Sequence, residues 1–216
     1  MKKIKSSLIV MSLICVFMAT TLTAQDTKKE GDKEVTKTSQ TSNDKLRNQA
    51  DFPKFLKYFL EQTYYQNNFN KLLFEGDKAV TNFFHPVVGF ARATNPGAFC
   101  VLEKDNNYGV MVPQEVGWEV NDISGLKFYN KMPKKGSCEE SKDKNGVYYE
   151  KLKKFPQYWN HEKEKAVAFS LPAKYKSAQV MKVVILVDKW IVKQFYFAKI
   201  DKKWYLILSD DCDCSA

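Results

Sequence analysis

Two textures of hydrophobic spacing divide the chain from about residue 49 onward. Phe52, Phe55, Leu56, Phe59 and Leu60 fall at the i, i+3, i+4, i+7 positions that line one face of a helix. Asp51 stands where an N-cap would, and Pro53 falls in the first turn, where its missing N–H costs nothing. Tyr65, Phe69, Leu72, Leu73 and Phe74 continue the helical spacing until Gly76 stops it. The pattern predicts two helices, or one broken near Thr63. Residues 87–102 are then punctuated by Gly89, Pro96 and Gly97, after Pro86, which suits short strands and turns. Val110, Val112, Val116, Trp118 and Val120 tend to alternate within 108–129. A polar loop at 131–145, long enough to be an insertion, holds Cys138. Residues 147–152 read as a strand or a short helix.

The last third is the clearest. Residues 166–171, 180–187, 190–200 and 204–208 are β-branched and aromatic runs separated by polar turns, with Asp201-Lys202-Lys203 suited to a tight hairpin. The expected fold class is α+β: N-terminal helices packed on an antiparallel sheet that ends in a β-meander, as a single domain over 49–216.

Ahead of that domain the texture differs. Met1-Lys2-Lys3-Ile4-Lys5 is a basic opening, and residues 8–18 form an apolar stretch of signal-peptide length, too short to span a bilayer. Residues 1–24 are therefore expected to be a signal peptide, although Leu22 is larger than the usual residue three places before cleavage. Cys15 follows Ile14, which is not the small residue that a lipid-attachment signal requires, so lipid anchoring is the lesser reading. Residues 25–48 are almost wholly polar, as in a flexible linker. The chain carries +9 net, of which Lys2, Lys3 and Lys5 contribute three, leaving +6 beyond residue 24. A scattered excess of that size reads first as a lysine-rich solvated surface, with anionic envelope surfaces as a further reading. Nucleic acid is not an expected partner, and no later segment is long and apolar enough to span a membrane.

Four cysteines remain beyond residue 24: Cys100, Cys138, Cys212 and Cys214. In an oxidising compartment they predict one or two disulfides, and their spacing leaves all three pairings open. Cys100 with His85 would make a nucleophile and base, but no cysteine-hydrolase signature surrounds them. The favoured reading makes Asn95-Pro96-Gly97 a turn, Cys100 half of a disulfide, and His85 a loop residue bonded to backbone. Asp210-Asp211-Cys212-Asp213-Cys214 could attract a borderline metal, yet a structural zinc site draws on two separated ligand pairs. The expectation is no metal, a tail stapled by disulfide, and solvated acids. His161, Glu162 and Glu164 read as a solvated turn. Glu119 and Asp122, near Trp118, are the remaining candidate pocket carboxylates, and neither is assigned a role. Phosphate loops, nucleophile elbows and metalloprotease motifs are absent from the sequence.

The Phe52-x-x-Phe55-x-x-x-Phe59 opening and the closing Phe195-Tyr196-Phe197…Asp201-Lys202-Lys203-Trp204-Tyr205-Leu206 resemble the nuclear-transport-factor-2-like, or cystatin-like cone, superfamily, and exported proteins of the Bacteroidetes type within it. The resemblance covers the two ends of residues 50–209. It implies a curved sheet wrapped around a helix to leave a conical pocket, catalytic in some members and a binding cavity in others. The resulting expectation is a non-enzymatic envelope module, periplasmic or extracellular, that holds a small apolar ligand or an envelope protein without a cofactor. Trp118, Tyr158, Trp159 and Trp190 are the candidate lining. The alternative is an exported hydrolase or isomerase in the same pocket.

Overall fold

The computed structural model describes residues 51–65, 69–95, 99–103, 123, 125–135 and 138–212. The expected signal peptide and linker, and Trp118, Glu119 and Asp122, lie outside the described residues.

Helix α1 spans Phe52–Leu60 and runs on through a π-helical turn at Glu61–Tyr65. All five periodic residues of α1 are buried. Asp51 occupies the N-cap position, but its side chain caps nothing and instead lies 3.7 Å from Lys54 Nζ at the surface. Thr63 Oγ1 donates to Phe59 O within this π-helical turn, where a break was expected. Helix α2, Phe69–Phe74, ends on Gly76 at φ +66°, with Gly76 N donating to Leu73 O and Asp77 N to Leu72 O. Asp77 then caps the short α3, Lys78–Thr81, by accepting from Ala79 N.

Nine strands among the described residues form one sheet. They are β1 (Ala91–Thr94), β2 (Val101–Glu103), β3 (Lys127–Tyr129), β4 (Gly146–Lys151), β5 (Gln157–Asn160), β6 (Lys165–Ala168), β7 (Gln179–Val187), β8 (Trp190–Ile200) and β9 (Lys203–Asp210), in spatial order β3-β4-β7-β8-β9-β1-β2-β5-β6. The meander β7-β8-β9 is antiparallel, but the sheet as a whole is mixed: β1 pairs parallel to β9, β2 to β5 and β3 to β4. The antiparallel expectation fails there because these pairs join strands distant in sequence, where no hairpin dictates direction. Turn Asp201-Lys202 has φ +48° and +67°, the hand that suits a two-residue hairpin.

One face of the sheet buries Met181, Val183, Ile185, Phe195, Phe197, Trp204 and Leu206 against α1 and α2. Phe59 sits edge-on to Phe83 at 5.0 Å and to Phe197 at 4.9 Å. The other face buries Val180, Tyr196, Ala198 and Leu208 beneath Tyr158, Phe169, Leu171 and Tyr175, which come from the crossover between β4 and β7. Phe169 and Leu171 leave the expected strand run to do this, so β6 stops at Ala168. A register shift between Tyr196 and Phe197 makes Ile207 an extra residue: Phe197 pairs with Leu206 and Tyr196 with Leu208. Trp204 and Leu206 therefore join the helix side while Leu208 joins the other face.

The polar loop at 131–145 is pinned rather than loose. Lys134 N donates to Asp143, Ser141 N donates to Lys189 O, and Asn145 exchanges hydrogen bonds with Asp188. Gly146 begins β4 where a Cβ would lie 2.4 Å from Tyr129 Cε2 and 2.7 Å from Lys127 O. Gly146→Ala is expected to push β3 away and disturb the Tyr129–Tyr148 stack, at about 1–3 kcal/mol in urea denaturation. A variant as stable as the parent would show that β3 gives way freely.

Candidate functional site

The bulge at Ile207 reverses the phase of β9, so the residues after it point in directions that strict alternation would not assign. Asp211 reaches the helix side. Its Oδ2 accepts from Arg92 Nε at 2.5 Å, and its Oδ1 accepts from Lys193 Nζ at 2.6 Å and Ser209 Oγ at 3.1 Å. Lys193 also donates to Asn70 Oδ1 of α2 at 3.0 Å, with its ammonium 4.9 Å from the Phe69 ring. The Lys193 and Arg92 side chains are 3% and 6% exposed, so this network is desolvated and the Asp211 carboxylate meets both cations. Burial alone would raise the Asp211 pKa, but Lys193 and Arg92 outweigh it and hold the carboxyl below its ordinary range. Asp211 N also donates to Ala93 O, which locks the tail onto β1.

Asp210 points into the opposite core. Its Oδ2 accepts from Tyr158 Oη at 2.9 Å and its Oδ1 from Cys212 N at 3.1 Å. Burial pushes its pKa up against those two hydrogen bonds, and Asp211 adds to the rise. Nearby Lys182 is pushed down by burial, with Asp210 and Glu150 opposing. Tyr158 and Tyr196 are both pushed well above the ordinary phenol range, chiefly by burial and then by Asp210. Two adjacent aspartates are thus biased in opposite directions by opposite faces of one sheet.

The acids of the tail were expected to be solvated, and that expectation is corrected: Asp210 is buried and Asp211 is 13% exposed on its side chain. Lys193 carried a signal in the sequence, because it is in phase with the core residues Phe195 and Phe197. No comparable signal marked the aspartates, since the bulge that turns them is not written in the alternation.

Cys100 and Cys212 form a disulfide with Cα atoms 5.8 Å apart, and Cys138 is disulfide-bonded as well. Cys214 lies outside the described residues. His85 is not beside a thiol that could act: its Nδ1 accepts from Val87 N and Val88 N at 3.1 and 3.0 Å, and its ring packs edge-on to Tyr175 and Tyr205. Burial lowers its pKa, Lys174 adds to this and Asp201 opposes it, so the ring is held neutral as a turn-closing acceptor. His161, Glu162 and Glu164 form an exposed turn between β5 and β6. Among the described residues no three His, Cys, Asp or Glu side chains group as metal ligands, and no helix is long and apolar enough to cross a membrane.

The candidate lining residues are dispersed. Tyr158 and Trp159 are consecutive on β5 and face opposite ways: Tyr158 is buried on Asp210, whereas Trp159 is half-buried and stacks on Phe99 at 4.6 Å and 15°. Trp190 stands 45% exposed beside the β7–β8 turn. Phe99, 52% exposed and one residue before the disulfide, is the aromatic that sequence reasoning passed over. Trp159 N donates to Cys100 O, so the Phe99–Trp159 pair is braced by both the sheet and the disulfide.

Comparison of the chain with models of protein families, with curated proteins and with solved structures gives no match to any of them.

Proposed function

We propose that the chain is an exported binding or interaction module of the cell envelope, built on a cone-like helix-and-sheet fold. The observation that carries this reading is the Phe99–Trp159 stack. A half-exposed aromatic pair held rigid by β2, β5 and a disulfide offers apolar contact area at little entropic cost. The Cys100–Cys212 disulfide supports an oxidising location outside the cytoplasm. A pocket enzyme is the second reading, favoured by the opposed pKa shifts of Asp210 and Lys182. Both oxygens of Asp210 already accept hydrogen bonds from Tyr158 and Cys212, which weighs against it as a base.

The binding reading is tested by cell fractionation of the chain expressed with its own leader. The parent protein should stay with the envelope, and Phe99→Ala/Trp159→Ala should release most of it to the soluble fraction with little change in melting temperature. Equal retention of the double variant would remove the aromatic pair as the contact.

A further inference from the structure

The crossover between β4 and β7 carries a strong positive charge. The crossover at 151–176 holds Lys151, Lys153, Lys154, Lys163, Lys165, Lys174 and Lys176 against Glu162 and Glu164, a net charge of +5. All seven lysines are exposed. Among the described residues none of the seven has a carboxylate within ion-pair distance.

Packing forces this arrangement. Leu152, between Lys151 and Lys153, and Phe155, after Lys154, pack against the second core, while Tyr175, between Lys174 and Lys176, is buried within it. Each inward anchor turns its flanking lysines outward from the layer. At the far end, Lys165 pairs with Asn160 across β5–β6 and Lys163 N donates to Asn160 Oδ1, one residue from Trp159. In the same crossover Trp159 carries its stack on Phe99, on the face of β5 opposite to Asn160 and Lys165.

Resting on the binding reading above, we infer that the partner of this layer is an anionic lipid surface, on which the protein lies without spanning it. Lysine ammoniums are compact point charges that suit delocalised attraction to many headgroups more than the forked recognition of one anion. Aromatic side chains such as Trp159 and Phe99 favour the boundary between headgroups and acyl chains. Each lysine at such a surface raises affinity by about fivefold, and the effect is screened by salt.

The test uses the chain as the producing cell exports it, with vesicles of phosphatidylglycerol in phosphatidylcholine and vesicles of phosphatidylcholine alone. Co-sedimentation should occur with the anionic vesicles only and weaken steeply as salt rises. Lys153→Gln/Lys154→Gln/Lys174→Gln/Lys176→Gln, all exposed and so expected to fold, should weaken it by about a hundredfold or more. Equal binding to both vesicles, insensitivity to salt, or an unaffected quadruple variant would overturn the inference. So would binding to soluble polyphosphate without binding to vesicles, which would move the partner to another class of polyanion. Retention in the envelope without vesicle binding defeats the lipid partner alone, whereas absence of both defeats the binding reading with it.

Discussion

Asp211→Ala is expected to cost about 3–5 kcal/mol of stability, because it removes the carboxylate that two buried cations share. For a domain of this size that corresponds to a fall in melting temperature on the order of 10 °C. The reduced compensation of buried charge, more than the lost attraction itself, sets the size of the effect. Replacing the whole network with apolar residues, as in Arg92→Leu/Lys193→Met/Asp211→Leu, should therefore recover much of the loss. Urea denaturation of the parent and both variants decides the matter. A single variant within about 1 kcal/mol of the parent would mean that water reaches Arg92 and Lys193.

Acid adds a second reading of the same residue. The Asp211 pKa is depressed in the folded state, so its contribution is present above the unfolded value of about 4 and disappears as pH falls through the folded value. The gap between parent and Asp211→Ala should accordingly close in strong acid. Asp210 has the opposite sign. Its folded pKa is raised, so its contribution is present below about 4 and is lost as pH rises through the folded value. The stability profile in acid is the sum of two neighbours working against each other.

Much of this architecture was legible in the sequence because periodicity and burial coincide in it. The five apolar positions of α1 are all buried, Gly76 ends α2 with the positive φ that glycine tolerates, and β7 to β9 follow their apolar runs. What escaped was decided by non-local pairing. Nothing in 91–94 announces that β1 lies parallel to β9, although that pairing places Arg92 opposite Ser209, beside the incoming Asp211. Nor does the sequence show that one extra residue at Ile207 sends Asp210 and Asp211 into two different cores. Composition made the acids of the tail look solvated. Their fate depends instead on where a bulge turns the strand, and on cations contributed from residues far away in the chain. The disulfide pairing was open for the same reason, since four cysteines name no partner until the sheet brings Cys100 and Cys212 together.

Cys100→Ser/Cys212→Ser is expected to lower stability by about 2–5 kcal/mol. The bond joins positions 112 residues apart, and in the chain-entropy picture closing a loop of that order restricts the unfolded state by about 4–5 kcal/mol. The loss should not add simply to that of Asp211→Ala. Cys212 follows the aspartate directly, and its N–H donates to Asp210, so the disulfide and the ion network hold the same few residues of tail against β1 and β2. Once the covalent hold is gone the tail can fray, and Arg92 and Lys193 then reach water with or without Asp211. A double-mutant cycle should therefore show a coupling of about 1–3 kcal/mol, with the second lesion costing less than the first. Alkylation of the native protein gives an independent readout: Cys100, Cys138 and Cys212 should be protected until a reductant is added. Ready labelling of Cys212 before reduction, or a serine double variant as stable as the parent, would show that the tail is held by its charges alone.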